Sequence, residues 1–125
     1  MSKAESLGSK AGTALFNRAE RIRRRAEYQQ IYERGHRTHG RYLTLFTLSN
    51  DLPVGRLGIA ATRKLGGAVE RNRAKRLIRE VFRRNKISDG FDVVVIPKRE
   101  WLDASLIALE ADYRALLDRR LRQGR

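Results

Sequence analysis

Residues 63–86 read RKLGGAVERNRAKRLIREVFRRNK, and this stretch constrains the chain more than any other. Ala74, Leu77, Ile78, Val81 and Phe82 recur at i, i+3, i+4, i+7 and i+8, which is one apolar face of an α-helix. The rest is basic. Ten Lys or Arg stand against two acids, Glu70 and Glu80, a net +8 out of +14 for the whole chain. One side of such a helix packs and the other presents guanidinium groups. A solvated helix face would interleave acids for i, i+4 pairing, and only two are available. A folded surface this basic is suited to phosphate.

The bulk composition narrows the partner. With 125 residues and 41% hydrophobic content, the chain is one domain with a modest core. A pI near 11.3 suits nucleic acid or an anionic membrane. No apolar run approaches the ~20 residues of a membrane span, so no membrane partner is expected. The absence of cysteine removes disulfides and Cys-based zinc sites and fits a reducing, cytoplasmic setting. No signal peptide is visible. Residues 1–17 read as a disordered basic tail ahead of one domain at 18–125.

Residues 26–34 read as a short helix with Tyr28, Ile31 and Tyr32 on one face and Gly35 as its stop. A loop is expected at 35–40. Strands are expected at 41–48 and 56–62, the second rich in small residues. The basic helix is placed at 68–85, and FDVVVI at 91–96 reads as a central strand that Pro97 ends. A last helix is expected at 103–122 with Asp103 as N-cap and Leu102, Leu106, Leu109, Tyr113, Leu116 and Leu117 inward. The fold class is therefore α+β, a two-layer sandwich of one small mixed sheet packed with helices.

On the basic helix, Arg71, Lys75 and Arg79 form an i, i+4, i+8 row beside the apolar stripe, with Arg73 and Arg76 further round. Arg suits phosphate because its planar fork bonds two oxygens at once. Gly66-Gly67 ahead of the helix leaves backbone N–H groups for an anion or simply makes a turn. Tyr28, Tyr32, Tyr42 and Phe46 are either core or a stacking surface for single-stranded bases. His36 and His39 lack a nearby orienting carboxylate or further metal ligands, so a surface loop is the simpler reading than acid–base or metal chemistry. Asp51, Asp89 and Asp92 do not cluster as a two-metal site needs. The residues describe a binder rather than a stand-alone nuclease.

The run GGAVERNRAKRLIREVFR resembles the bacterial ribonuclease P protein subunit. The family hallmark is an Arg-Asn-Arg triplet, here Arg71-Asn72-Arg73, then Lys75-Arg76-Leu77-Ile78-Arg79, with Lys64-Leu65-Gly66-Gly67-Ala68-Val69 upstream. The likeness runs over residues 22–120. The first helix carries Tyr28 and Tyr32 where the family commonly has Phe, and Phe46 stands at a usual aromatic position. The resemblance implies a left-handed βαβ crossover and a partner RNA that cuts the 5′ leader from precursor tRNA using Mg2+. It implies that Arg63, Lys64, Arg71, Asn72, Arg73, Lys75, Arg76 and Arg79 lie against that RNA. It implies that Tyr28, Tyr32, Tyr42 and Phe46 face the leader. No catalytic residue, metal site or tightly bound cofactor is expected in the protein, which would be a monomer within the ribonucleoprotein. Two departures stand out: Gly67 replaces the family's usual Asn, and Pro97 displaces a basic residue that Lys98 replaces. The rival classes are a structural RNA-binding protein and an autonomous nuclease.

Overall fold

The computed structural model describes residues 18–86 and 90–123. The tail expected at 1–17, and Asp89 of the expected turn, lie outside the described residues. A 3-10 turn, Arg18–Glu20, leads into α1, Arg25–Arg34. Strands β1, His36–His39, β2, Leu43–Ser49, and β3, Arg56–Ile59, follow. Helix α2, Ala68–Arg84, precedes β4, Phe91–Pro97, and a second 3-10 turn, Arg99–Asp103, precedes α3, Leu106–Gln123.

The sheet order is β1-β2-β4-β3. β2 pairs antiparallel with β1 and β4, and β3 pairs parallel with β4. Helix α2 is thus the crossover between parallel neighbours, and the sheet is mixed, as expected from the sequence.

Strand alternation sorts the core to two faces. Leu43, Leu45, Leu57, Val93 and Val95 pack with Ala74, Ile78, Val81 and Phe82 of α2 and with Leu109, Tyr113 and Leu116 of α3. The stripe read from sequence on α2 is buried, with Leu77 half-buried at its margin. The other face carries a smaller cluster in which Ile22 and Ile31 meet Val94, with Tyr28, Phe46, Leu48 and Ile96 around them. Helix α1 crosses this face and covers only part of it.

Two expectations are corrected. Residues 36–39 form a strand rather than a loop, because their backbone completes a ladder with β2 and Thr38 turns inward to burial. The sequence HRTH has no apolar alternation to announce this. The last helix starts later than Asp103, which ends a 3-10 turn pinned by buried Trp101. Its cap is Ser105, whose Oγ accepts the Ala108 N–H at 3.1 Å.

Candidate nucleic-acid interface

The basic surface begins in the turn before α2. Leu65 is buried and anchors this turn, and the N–H groups of Leu65 and Gly66 donate to the Thr62 and Arg63 carbonyls at 3.0 and 3.1 Å. Arg63 and Lys64 are left exposed. Gly66 has φ +148°, a conformation that favours glycine. Gly67 occupies the N-cap position with extended backbone, and the Glu70 carboxylate accepts its N–H at 2.9 Å. An asparagine Cβ at residue 67 would meet only Glu70 Oε1, at 3.2 Å.

Acids are distributed unevenly along α2. Glu80 pairs with Arg83 and with Arg84, the latter at 3.1 Å. Glu110 of α3 reaches Arg84 at 3.3 Å and the Asn85 amide at 2.8 Å. Lys86 pairs with Glu20 at 3.0 Å. The basic residues at the C-terminal end of α2 are therefore held by the fold. The hydrogen bond from Arg83 and the nearby charges of Arg83 and Arg84 keep the Glu80 carboxyl below the usual range. Glu70, the other acid of the helix, is turned back to the Gly67 N–H. No described acid pairs with Arg63, Lys64, Arg71, Arg73, Lys75, Arg76 or Arg79. Asn72, Arg73, Arg76 and Arg79 are exposed, and Arg71 and Lys75 are half-buried along their stems.

Lys75 and Arg79 border a groove of about 260 Å³ with Arg21, Arg23 and Tyr28, floored by Leu57 and Ile59 of β3. The segment before α1 lies along the β3 edge, with the Ile22 N–H donating to the Leu57 carbonyl at 2.9 Å. Edge pairing of this kind closes an otherwise open strand. Arg21 and Arg23 thereby join the basic surface.

Tyr28 ties this groove to the aromatic face. Its hydroxyl donates to the Ile22 carbonyl and accepts from the Ile59 N–H, both at 3.2 Å. Burial raises the Tyr28 and Tyr32 pKa values above that of an ordinary phenol, so both hydroxyls stay protonated near neutrality. The Tyr28 and Tyr32 rings are 6.4 Å apart, and Tyr32 meets Phe46 edge-to-face at 5.1 Å. Tyr32 is 40% exposed, a large aromatic surface in contact with solvent.

Three of the four aromatic residues singled out by sequence are thus brought together. Tyr42 is not among them. It packs against the main core, its N–H donates to Asp112 Oδ2 at 2.9 Å, and the Arg41 guanidinium sits 5.3 Å from its ring centre. His36 and His39 stand on opposite faces of β1, so they cannot act as a pair. Among the described residues no three His, Cys, Asp or Glu side chains converge as a metal site. Lys98 Nζ donates to the Gly40 carbonyl at 2.6 Å and so fastens the β1–β2 turn.

The sequence did not expose what seats α1. Arg56 forks onto buried Asp92 at 2.8 and 2.7 Å and reaches Glu27 of α1 at 2.9 Å. Asn50 adds a 2.8 Å bond to the same Asp92. Hydrogen bonds to Asp92 and Glu27 outweigh burial and raise the Arg56 pKa, so it stays charged. A lone carboxylate within the apolar run FDVVVI was the available signal, since a buried charge requires a partner.

A family model described as Ribonuclease P matches residues 16–120. The chain is 49% identical over 87 residues to the "Ribonuclease P protein component" of Syntrophus aciditrophicus, covering 66% of this chain and 71% of that one. The solved RNase P protein of Staphylococcus aureus superposes with a TM-score of 0.74 at 34% identity, over 81% of this chain and 94% of that one. The RNase P protein of Thermotoga maritima gives 0.74 at 36%, over 80% and 96%.

Proposed function

The chain belongs to the ribonuclease P protein family, and from that premise we propose that it is the protein subunit which binds a catalytic RNA and the 5′ leader of precursor tRNA, promoting RNA-catalysed removal of the leader. The RNA partner lies against Arg63, Lys64, Arg71, Asn72, Arg73, Lys75, Arg76 and Arg79. The leader occupies the face of the sheet beside α1, with Tyr28, Tyr32 and Phe46 as its aromatic wall. The reaction's Mg2+ is bound through the RNA and neutralises charge there, and the protein holds no metal tightly. It acts in the cytoplasm as one copy within the ribonucleoprotein.

One observation carries this reading. Lys75 and Arg79 of the unneutralised side of α2 line the same groove as Tyr28, the first ring of the Tyr28–Tyr32–Phe46 aromatic face. A structural RNA-binding protein needs the basic helix but has no use for an exposed aromatic wall next to it. Positive charge lets two polyanions approach, and stacking on rings holds unpaired bases without demanding a sequence.

The test is processing of a precursor tRNA at low Mg2+ by an active bacterial ribonuclease P RNA, with and without this protein. Stimulated 5′ cleavage, with none by the protein alone, is the expected result. Binding without stimulation would replace the reading with a structural RNA-binding role. Cleavage by the protein alone would place a catalytic site in the chain.

A further inference from the structure

We infer that Arg37 and His39 of β1 continue the proposed leader cleft beyond its aromatic wall, as a polar subsite for a leader nucleotide farther from the cleavage site. The inference rests on the leader-binding reading above and extends it to an edge of the sheet that this reading leaves unused.

Cross-strand register places the two residues. Arg37 is opposite Phe46, which is opposite Val94, which is opposite Gly58. His39 is opposite Thr44, which is opposite Ile96. Directly opposed residues share a face. Tyr32 lies on Phe46 and Tyr28 on Gly58, so α1 runs along the first row. The second row lies beside the helix, with half-buried Ile96 in its floor and exposed His39 at its outer end.

The chemistry at that end suits a nucleotide. His39 Nδ1 is 3.2 Å from Thr44 Oγ1, which fixes the ring and leaves Nε2 to meet a base edge or phosphate oxygen. Arg37 is exposed, and no described acid pairs with it. Its fork suits a phosphate of the same strand. Lys98, through Gly40, holds the turn that follows His39.

The sheet order gives the direction. Lys75 and Arg79 flank β3, the edge beside the proposed catalytic-RNA surface, and β1 is the opposite edge. A strand that leaves the RNA at β3 and passes the aromatic wall reaches β1 last.

The experiment measures precursor tRNA affinity for the complex reconstituted with ribonuclease P RNA, using a short-leader and a long-leader substrate. Arg37→Ala and His39→Ala are expected to weaken long-leader binding about three- to tenfold each, the range of one hydrogen bond or charge contact, and to leave short-leader binding unchanged. Tyr32→Ala is expected to weaken both. His36→Ala, on the opposite face, is the control and should change neither. Arg37→Glu, a surface charge reversal, gives a second reading if His39→Ala melts at a lower temperature. Loss on Tyr32→Ala with no long-leader loss on Arg37→Ala or Arg37→Glu overturns the subsite and leaves the leader cleft standing. No loss on any of these variants overturns the cleft reading and the subsite with it.

Discussion

Tyr28 lies over Gly58 so closely that a Cβ on residue 58 would stand 2.8 Å from the ring. The small residue is what lets α1 approach β3, and the Tyr28 hydroxyl then bonds backbone on both sides of the contact. Gly58→Ala should therefore push the ring off its seat. We expect a loss of about 1–3 kcal/mol in chemical denaturation, the usual cost of overpacking, together with weaker leader binding. Unchanged stability and affinity would mean that α1 yields freely at this point.

The Arg56 cluster gives an acid-sensitive element. Burial pushes the Glu27 carboxyl up, but the hydrogen bond from Arg56 and the Arg24 N–H outweigh it and hold the group below its usual range. A carboxyl depressed in the folded state contributes stability that is complete above its unfolded pKa and is lost as pH falls through the folded one. Stability should therefore decline below about pH 4, and Glu27→Gln should flatten that decline in urea midpoints measured across pH. Asp92→Ala is the harsher change. It leaves half-buried Arg56 without its bidentate partner, with Glu27 alone to pair it, and should cost about 3 kcal/mol even at neutral pH.

The amphipathic stripe of α2 and the apolar strands were legible because their periods match the elements they form. Residues 36–39 were not, since an edge strand draws its stability from a backbone ladder that no side-chain pattern reports. The basic surface was legible as charge, but not the division within it. Glu20 and Glu110 are remote in sequence from the residues they neutralise, and only the fold brings them to Lys86 and Arg84. Tyr42 shows where alternation misleads. It shares parity with Phe46, yet Asp112 accepts the N–H groups of Arg41 and Tyr42 and bends the chain before β2 begins. The ring turns to the main core instead.

Arg73 is exposed on the side of α2 that no described acid neutralises. If it contacts phosphate, Arg73→Ala should weaken RNA binding and flatten the log–log salt dependence by about 0.7–0.9, the release of one counterion. A folded variant with the wild-type slope would remove Arg73 from the contact surface.

Phe82 belongs to the opposite face of the same helix and is 1% exposed among Leu, Ile and Val side chains. Phe82→Ala should cost about 3–5 kcal/mol through lost burial and a residual cavity, with the salt slope of RNA binding intact wherever the variant is folded. An unchanged melting temperature would contradict its place in the core.

Tyr113 of α3 poses a different question of stability. The side chain is 2% exposed, its hydroxyl has no hydrogen-bond partner among the described residues, and burial alone drives its pKa far above that of a free phenol. The group is thus neutral and unpaired within the main core. A buried polar atom without a partner costs about 1–3 kcal/mol, whereas an apolar replacement of the same shape is close to neutral or favourable. Tyr113→Phe keeps the ring and its packing and removes only the hydroxyl, so it should hold or raise stability by up to about 1 kcal/mol, a rise of several degrees in melting temperature for a domain of this size. Tyr113→Ala should instead lose about 3–5 kcal/mol. A clear destabilisation by Tyr113→Phe would show that the hydroxyl is bonded in solution, and the contribution of α3 to the core would then be partly polar.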